Sequence, residues 1–292
     1  TVEPSRGKQA VTDENGHITS CGDTVLGADD FAGVSAILEG AASLLESGAT
    51  HPTLELLFTT GEEHFCVGAK AFDAERLQSK TAYVMDLSGP VGDCAVAAPT
   101  LITFSAEVVG KAAHAGFAPE DGVHAIQVAA AAVANLPSGR WGDVTVNVGT
   151  ISGGRATNIV PDSCTVTGEI RALCHQDALD RLNEIHSEFV EQAQAVDAKL
   201  NFNHTIHITG YRVDTDAPVA QRFKRACEAV GVTPRFTDTY GGSDCNILSA
   251  HGIQGLAVAT AMNNCHAVNE YTTVEELCKP GRLAQALMEK QD

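Results

Sequence analysis

Basic residues are scarce in this chain: 19 Lys and Arg stand against 37 Asp and Glu, a net charge of -18 over 292 residues. A surface of that sign repels phosphate backbones and anionic headgroups, so neither nucleic acid nor a membrane surface is expected as a partner. The acidity is dispersed, with no single-sign run that would form a tail. No stretch approaches the roughly 18–20 apolar residues of a membrane span, and the opening TVEPSRGKQA lacks the apolar stretch of a secretory leader. The nine cysteines are odd in number, scattered and without a CxxC pair. That spacing excludes a disulfide framework or a cysteine-built zinc finger. It favours small buried thiols in a reducing compartment, hence a cytoplasmic protein.

What is present is an alternation of helix and strand. Residues 30–46 place Phe31, Val34, Ile37, Leu38, Ala41, Leu44 and Leu45 at helical spacing. Strands are expected at Thr53–Thr60 (TLELLFTT) and Ala82–Asp86, with a short helix at 71–78 between them. Near Ala98 the pattern changes to strand 100–109, helix 122–136, strands 144–151 and 163–173, helix 176–199 and strand 200–209. This βαββαβ order predicts a ferredoxin-like α+β domain. Alternation then resumes: helix 217–230, extended 233–238, helix 243–250, strand 254–260 and helix 273–289. The fold class is therefore α/β. A mostly parallel sheet with helices on both faces is built from 1–98 and 212–292, and a smaller domain, 99–211, is inserted into it.

Several acidic groups and one imidazole stand just past expected strand ends: Asp29 in LGADD, Glu62 and Glu63 in FTTGEE, Asp86 in YVMDLSG and His266 in NNCHAVNE. Taken singly, each has an ordinary explanation. An Asp-Asp pair caps helices, adjacent glutamates are usually solvated, Asp86 precedes a turn, and a loop histidine is usually exposed. Taken together they share the carboxyl edge of one sheet, where open α/β folds place ligands. Carboxylates gathered there repel one another unless a cation neutralises them. Zinc suits this donor set, with manganese or cobalt as alternatives. A glutamate left over beside a ligating one can act as base toward a metal-bound water.

These segments, together with APTLITF, GKAAHAGFAPEDGVHAI, GGRATNIVPD, GEIRAL and GGSDCNIL, resemble in order and spacing the peptidase T-like branch of the di-zinc exopeptidases, whose wider superfamily includes aminoacylases and glutamate-type carboxypeptidases. The resemblance runs over essentially the whole chain. It implies that Asp29 bridges two zinc ions, that Glu63 and His266 complete the first ion's ligands, and that Asp86 binds the second. It implies Glu62 as general base and His114 as an oxyanion donor reaching the partner subunit of a homodimer formed through the inserted domain. Asn158 and Arg171 would hold the substrate's carboxylate end. Read without the resemblance, His114 is an exposed loop histidine and Arg171 a strand-face arginine.

Two departures stand out. Phe31 replaces the family's usual lysine after the paired aspartates. The family's first metal motif, His-x-Asp before Thr-Val, would stand directly ahead of Thr1-Val2; His17 and His51 do not substitute for it, since neither has an aspartate two residues on. The expectation is that upstream residues are missing from the chain. The implied activity is metal-dependent hydrolysis of short peptides with release of the N-terminal residue. The alternatives are a deacylase or carboxypeptidase of the same superfamily, or an inactive binding or dimerisation module.

Overall fold

The computed structural model describes residues 2–290. The chain divides into two compact units, Thr1–Ala98 with Tyr211–Asp292, and Pro99–Gly210.

In the first unit, β1 (Ala10–Thr12) and β2 (His17–Ser20) precede α1 (Ala28–Ser47), α2 (Val67–Ala71), β3 (Thr81–Ser88) and β4 (Asp93–Ala98). The inserted unit holds β5 (Thr100–Val109), α3 (Ala125–Asn135), β6 (Gly139–Trp141), β7 (Val144–Gly153), β8 (Ser163–Ala172), α4 (His175–Gln194) and β9 (Lys199–Ile208). The first unit then resumes with β10 (Tyr211–Arg212), α5 (Pro218–Ala229), β11 (Arg235–Asp238), α6 (Asp244–Ala250), β12 (Gln254–Met262), β13 (Tyr271–Thr273) and α7 (Val274–Met288).

The main sheet of the first unit runs β10-β4-β12-β3, with β11 also pairing β4. β12 lies parallel to β3, and β11 parallel to β4. β4 runs antiparallel to β12 and β10. Its core brings Ala36 and Leu44 of α1, Phe223 of α5, Cys245 of α6 and Leu283 of α7 onto Met85, Val96, Leu256 and Val258 of the strands. Five cysteines are buried, including Cys94, Cys227 and Cys245 at zero exposure, and none forms a disulfide. A separate meander, β1-β2-β13, is antiparallel throughout.

Two local expectations change. Thr53–Thr60 is extended but joins no ladder among the described residues. Leu54, Leu56 and Phe58 of this segment line a cavity of about 650 Å³ together with Tyr83 and Val84 of β3. The helix expected at 71–78 instead ends at Ala71, and a single 3₁₀ turn, Ala74–Arg76, follows. Asp73 caps that turn by accepting the Glu75 amide at 3.1 Å, which favours a new start over continuation.

The inserted sheet runs β6-β7-β8-β5-β9, with every pairing antiparallel. Without the short edge hairpin strand β6, this is the strand order of a ferredoxin-like fold. Alternate residues of β5 (Ile102, Phe104, Ala106 and Val108) are buried beneath Ala129 and Ala132 of α3 and Ile185 and Phe189 of α4. The intervening Thr103, Ser105 and Glu107 face away from the helices, the one-sided pattern of an antiparallel sheet with one open face.

Candidate active site

Gly33 sets the position of the first acidic loop. A Cβ there would lie 1.9 Å from the Met85 carbonyl oxygen, so α1 starts directly against β3, one residue before Asp86. Asp30 Oδ1 accepts the Gly33 amide at 3.0 Å and caps the helix, as a pair of aspartates before a helix would suggest. Asp29 has non-helical φ/ψ and is not part of that cap. Glu62 and Glu63 open a 3₁₀ turn, Glu62–His64, which replaces the extended backbone of the preceding segment. In an extended chain adjacent side chains would point to opposite sides; the turn removes that constraint. His266 follows β12 at φ 66°, and Phe65 and Cys66 adopt φ 60° and 58°. Left-handed backbone of this kind costs a residue with a side chain about 1–2 kcal/mol.

The Asp29, Glu63 and His266 side chains converge. His266 Nε2 lies 2.9 Å from Asp29 Oδ2 and 2.9 Å from Glu63 Oε1. One donor atom from each of the three falls within 4.8 Å of the others. Asp86 is not in that trio, but its charge acts on the same carboxylates: burial, followed by the charges of Asp29 and Asp244, drives its pKa upward. Burial and Asp86 likewise raise Asp30 far above the usual carboxylate range. Asp29 is raised by burial and Glu63, against the opposing pull of His266. Burial, then the charges of Asp86 and Glu63, raise Glu62 to about 8. The Cys66 thiol donates to Glu62 Oε1 at 3.7 Å.

Three groups were not singled out from sequence. Asp244 accepts a hydrogen bond from Thr59 through Oδ2, while its buried Oδ1 has no hydrogen-bond partner. It begins α6, whose capping box has the Ser243 amide donating to Asn246 Oδ1 at 3.1 Å. Glu270, 1 % exposed, accepts the Gly27 amide at 2.6 Å and the Asp29 amide at 2.9 Å. It thereby ties the Asp29 loop to the loop carrying His266. Lys8 places its Nζ 5.0 Å from the centre of the Phe31 ring. A cation is thus returned beside the position where the resemblance expects lysine.

The donor chemistry fits divalent cations. Two carboxylates and an imidazole converge, further carboxylates crowd behind them with raised pKa values, and Asp244 leaves a buried acceptor oxygen unused. Asp29, Glu63 and His266 could hold one ion, and the charge of Asp86 bears on the same carboxylates.

The other three expected residues lie in the inserted unit. His114 Nδ1 accepts the amides of Gly116 and Phe117 at 3.1 and 3.2 Å. In the neutral ring this leaves the proton on Nε2. Asn158 is brought alongside through the main chain, its carbonyl accepting the Ala115 amide at 3.0 Å. Arg171 lies on β8 and pairs with Glu169 at 2.9 Å.

Residues 96–197 match the family model of the peptidase dimerisation domain (M20), and residues 4–98 that of peptidase family M28. The chain is 34 % identical over 291 residues to the uncharacterized protein YqjE of Bacillus subtilis (strain 168), covering 99 % of this chain and 78 % of that protein. It is similar to the crystal structure of aminopeptidase PepT from Bacillus cereus ATCC 10987, with TM-score 0.93 and 38 % identity over 99 % of this chain and 77 % of that one. A tripeptidase structure from Staphylococcus aureus superposes with TM-score 0.95 at 29 % identity, over the same shares of both chains. With its dimerisation domain inserted in an α/β unit that gathers acids at a sheet edge, the chain belongs to the peptidase T-like branch of the M20 peptidases.

Proposed function

We propose that this protein is a metal-dependent aminopeptidase that removes the N-terminal residue from short peptides, tripeptides among them. The observation that carries the reading is the convergence of Asp29, Glu63 and His266, with Glu62 next in sequence and raised in pKa by burial and by the neighbouring carboxylates. The names of the aminopeptidase and tripeptidase it resembles support the substrate class.

Asp29, Glu63 and His266 would hold one ion, and Asp29 and Asp86 would share in a second. Zinc fits this oxygen and nitrogen set, and manganese or cobalt would also be accepted. When bound, such ions supply Lewis-acid polarisation of the scissile carbonyl and a water acidified toward neutrality. Glu62 takes a proton from the attacking water and delivers it to the departing amine. Burial, then the charges of Asp86 and Glu63, hold its pKa at about 8, and a cation neutralising those two carboxylates would lower it. His114 of a second subunit donates from Nε2 to the carbonyl oxygen as charge develops there; one such donor is worth about 3–4 kcal/mol. Arg171 and Asn158 hold the peptide carboxylate by charge-assisted hydrogen bonds. In this reading residues 99–211 form the dimerisation and lid domain, and 1–98 with 212–292 the catalytic one.

Replacing Glu62 by Gln is expected to abolish tripeptide turnover while zinc content, measured by elemental analysis, stays at the wild-type level. Turnover at the wild-type rate would remove Glu62 from the role of base.

A further inference from the structure

Phe117 is 86 % exposed, the highest value among the exposed large hydrophobic residues described. A single exposed aromatic needs no partner by itself, but covering it would bury a large apolar area. Its position is not that of a free loop tip. The ring stacks on His114 with centroids 4.3 Å apart and planes at 28°. Its own amide donates to His114 Nδ1 at 3.2 Å, and it donates again to the His114 carbonyl oxygen at 3.2 Å. The imidazole and the phenyl ring are therefore held as one unit, with the Nε2 proton directed away from the loop.

We infer that Phe117 is a specificity-determining residue that covers an apolar side chain next to the scissile bond of the peptide substrate. The inference rests on the proposed role of His114. If His114 Nε2 meets the carbonyl oxygen, a ring stacked on that imidazole lies within van der Waals reach of a residue flanking the same carbonyl. The face it presents is aromatic and uncharged. It favours peptides with leucine, methionine or phenylalanine there over glycine or a charged residue. Arg171 and Asn158, by contrast, read only the terminal carboxylate, which every peptide carries.

The test compares kcat/KM for the tripeptides Leu-Gly-Gly, Gly-Leu-Gly and Gly-Gly-Gly in the metal-loaded full chain and in the variants Phe117→Ala, Phe117→Leu and His114→Ala. The preference for one leucine peptide over triglycine is expected to fall about tenfold or more in Phe117→Ala, chiefly through KM, and to be partly restored in Phe117→Leu. The exposure of the ring means that both variants keep the wild-type melting temperature. An unchanged preference in Phe117→Ala overturns the inference, even if dimerisation weakens. So does an equal loss for all three peptides, which would mark a ring that only steadies His114. Full activity in His114→Ala removes the catalytic reading of His114, and the inference with it. A large loss in His114→Ala with an unaltered preference in Phe117→Ala defeats the inference alone.

Discussion

The Glu270 carboxylate receives the amides of Gly27 and Asp29, while its own backbone follows His266 by four residues in the same loop. It touches neither the proposed base nor the proposed ligand atoms, yet it fixes the peptide from which Asp29 projects. Partners of this kind typically change metal affinity about 10–100-fold when altered. Glu270→Gln turns an amide nitrogen toward one of the two donors it now accepts. Zinc affinity measured by calorimetry should fall within that range, with the variant still folded. Equal affinity would show that the loop holds its shape without the carboxylate. The acids at Asp29, Glu62, Glu63 and Asp86 stand out in sequence by their place after expected strands; the structure brings Asp29 and Glu63 to His266, but Asp86 lies within β3 and the segment before Glu62 joins no ladder among the described residues. Glu270 does not stand out, because a single glutamate in a polar loop is ordinarily solvated; its only signal is its distance from His266.

Among the elements, the start of α1 is the most constrained. Gly33 lies in a regular helix where alanine would ordinarily be preferred by about 1 kcal/mol. Here a methyl group would meet the Met85 carbonyl oxygen at 1.9 Å and the Asp30 carboxylate at 2.6 Å. Gly33→Ala should lower stability by about 1–3 kcal/mol or more by forcing α1 away from β3. Thermal denaturation would register this, and an unchanged melting temperature would mean that the helix shifts without cost. The long helices and the inserted strands were legible because their apolar periods are strong. β4, DCAVAA, was missed because its residues are small and carry little β propensity, though nearly all are buried. β1, β2 and β13 were missed because runs of three or four residues are too short to show an alternation. Thr53–Thr60 shows the converse: strand-like residues do not by themselves make a ladder.

For the whole molecule, the clustered acids couple stability to pH and to cations. Glu62 titrates near 8 in the fold against an ordinary value of 4.5, so between those values the folded chain holds more protons than the unfolded one. Stability from this source is fully present below about pH 4.5 and is lost as pH rises through about 8. Asp30 and Asp86 shift in the same direction. The metal-free protein is expected to melt at a lower temperature near pH 8.5 than near pH 6, and added zinc or manganese should narrow the difference by replacing protons with a cation. A melting temperature that rises with pH in the metal-free protein would contradict the crowding of these acids. The insertion itself was visible in sequence as the break in pattern near Ala98, and the two units divide between Ala98 and Pro99 and between Gly210 and Tyr211.

The bond from the Asp29 amide to Glu270 spans 241 residues, and the whole inserted unit lies within that span. On the ribosome, then, the ferredoxin-like unit is complete before His266 has been made. The proposed ligands Asp29 and Glu63 therefore stay apart from their third member until the segment carrying His266 and Glu270 has been made.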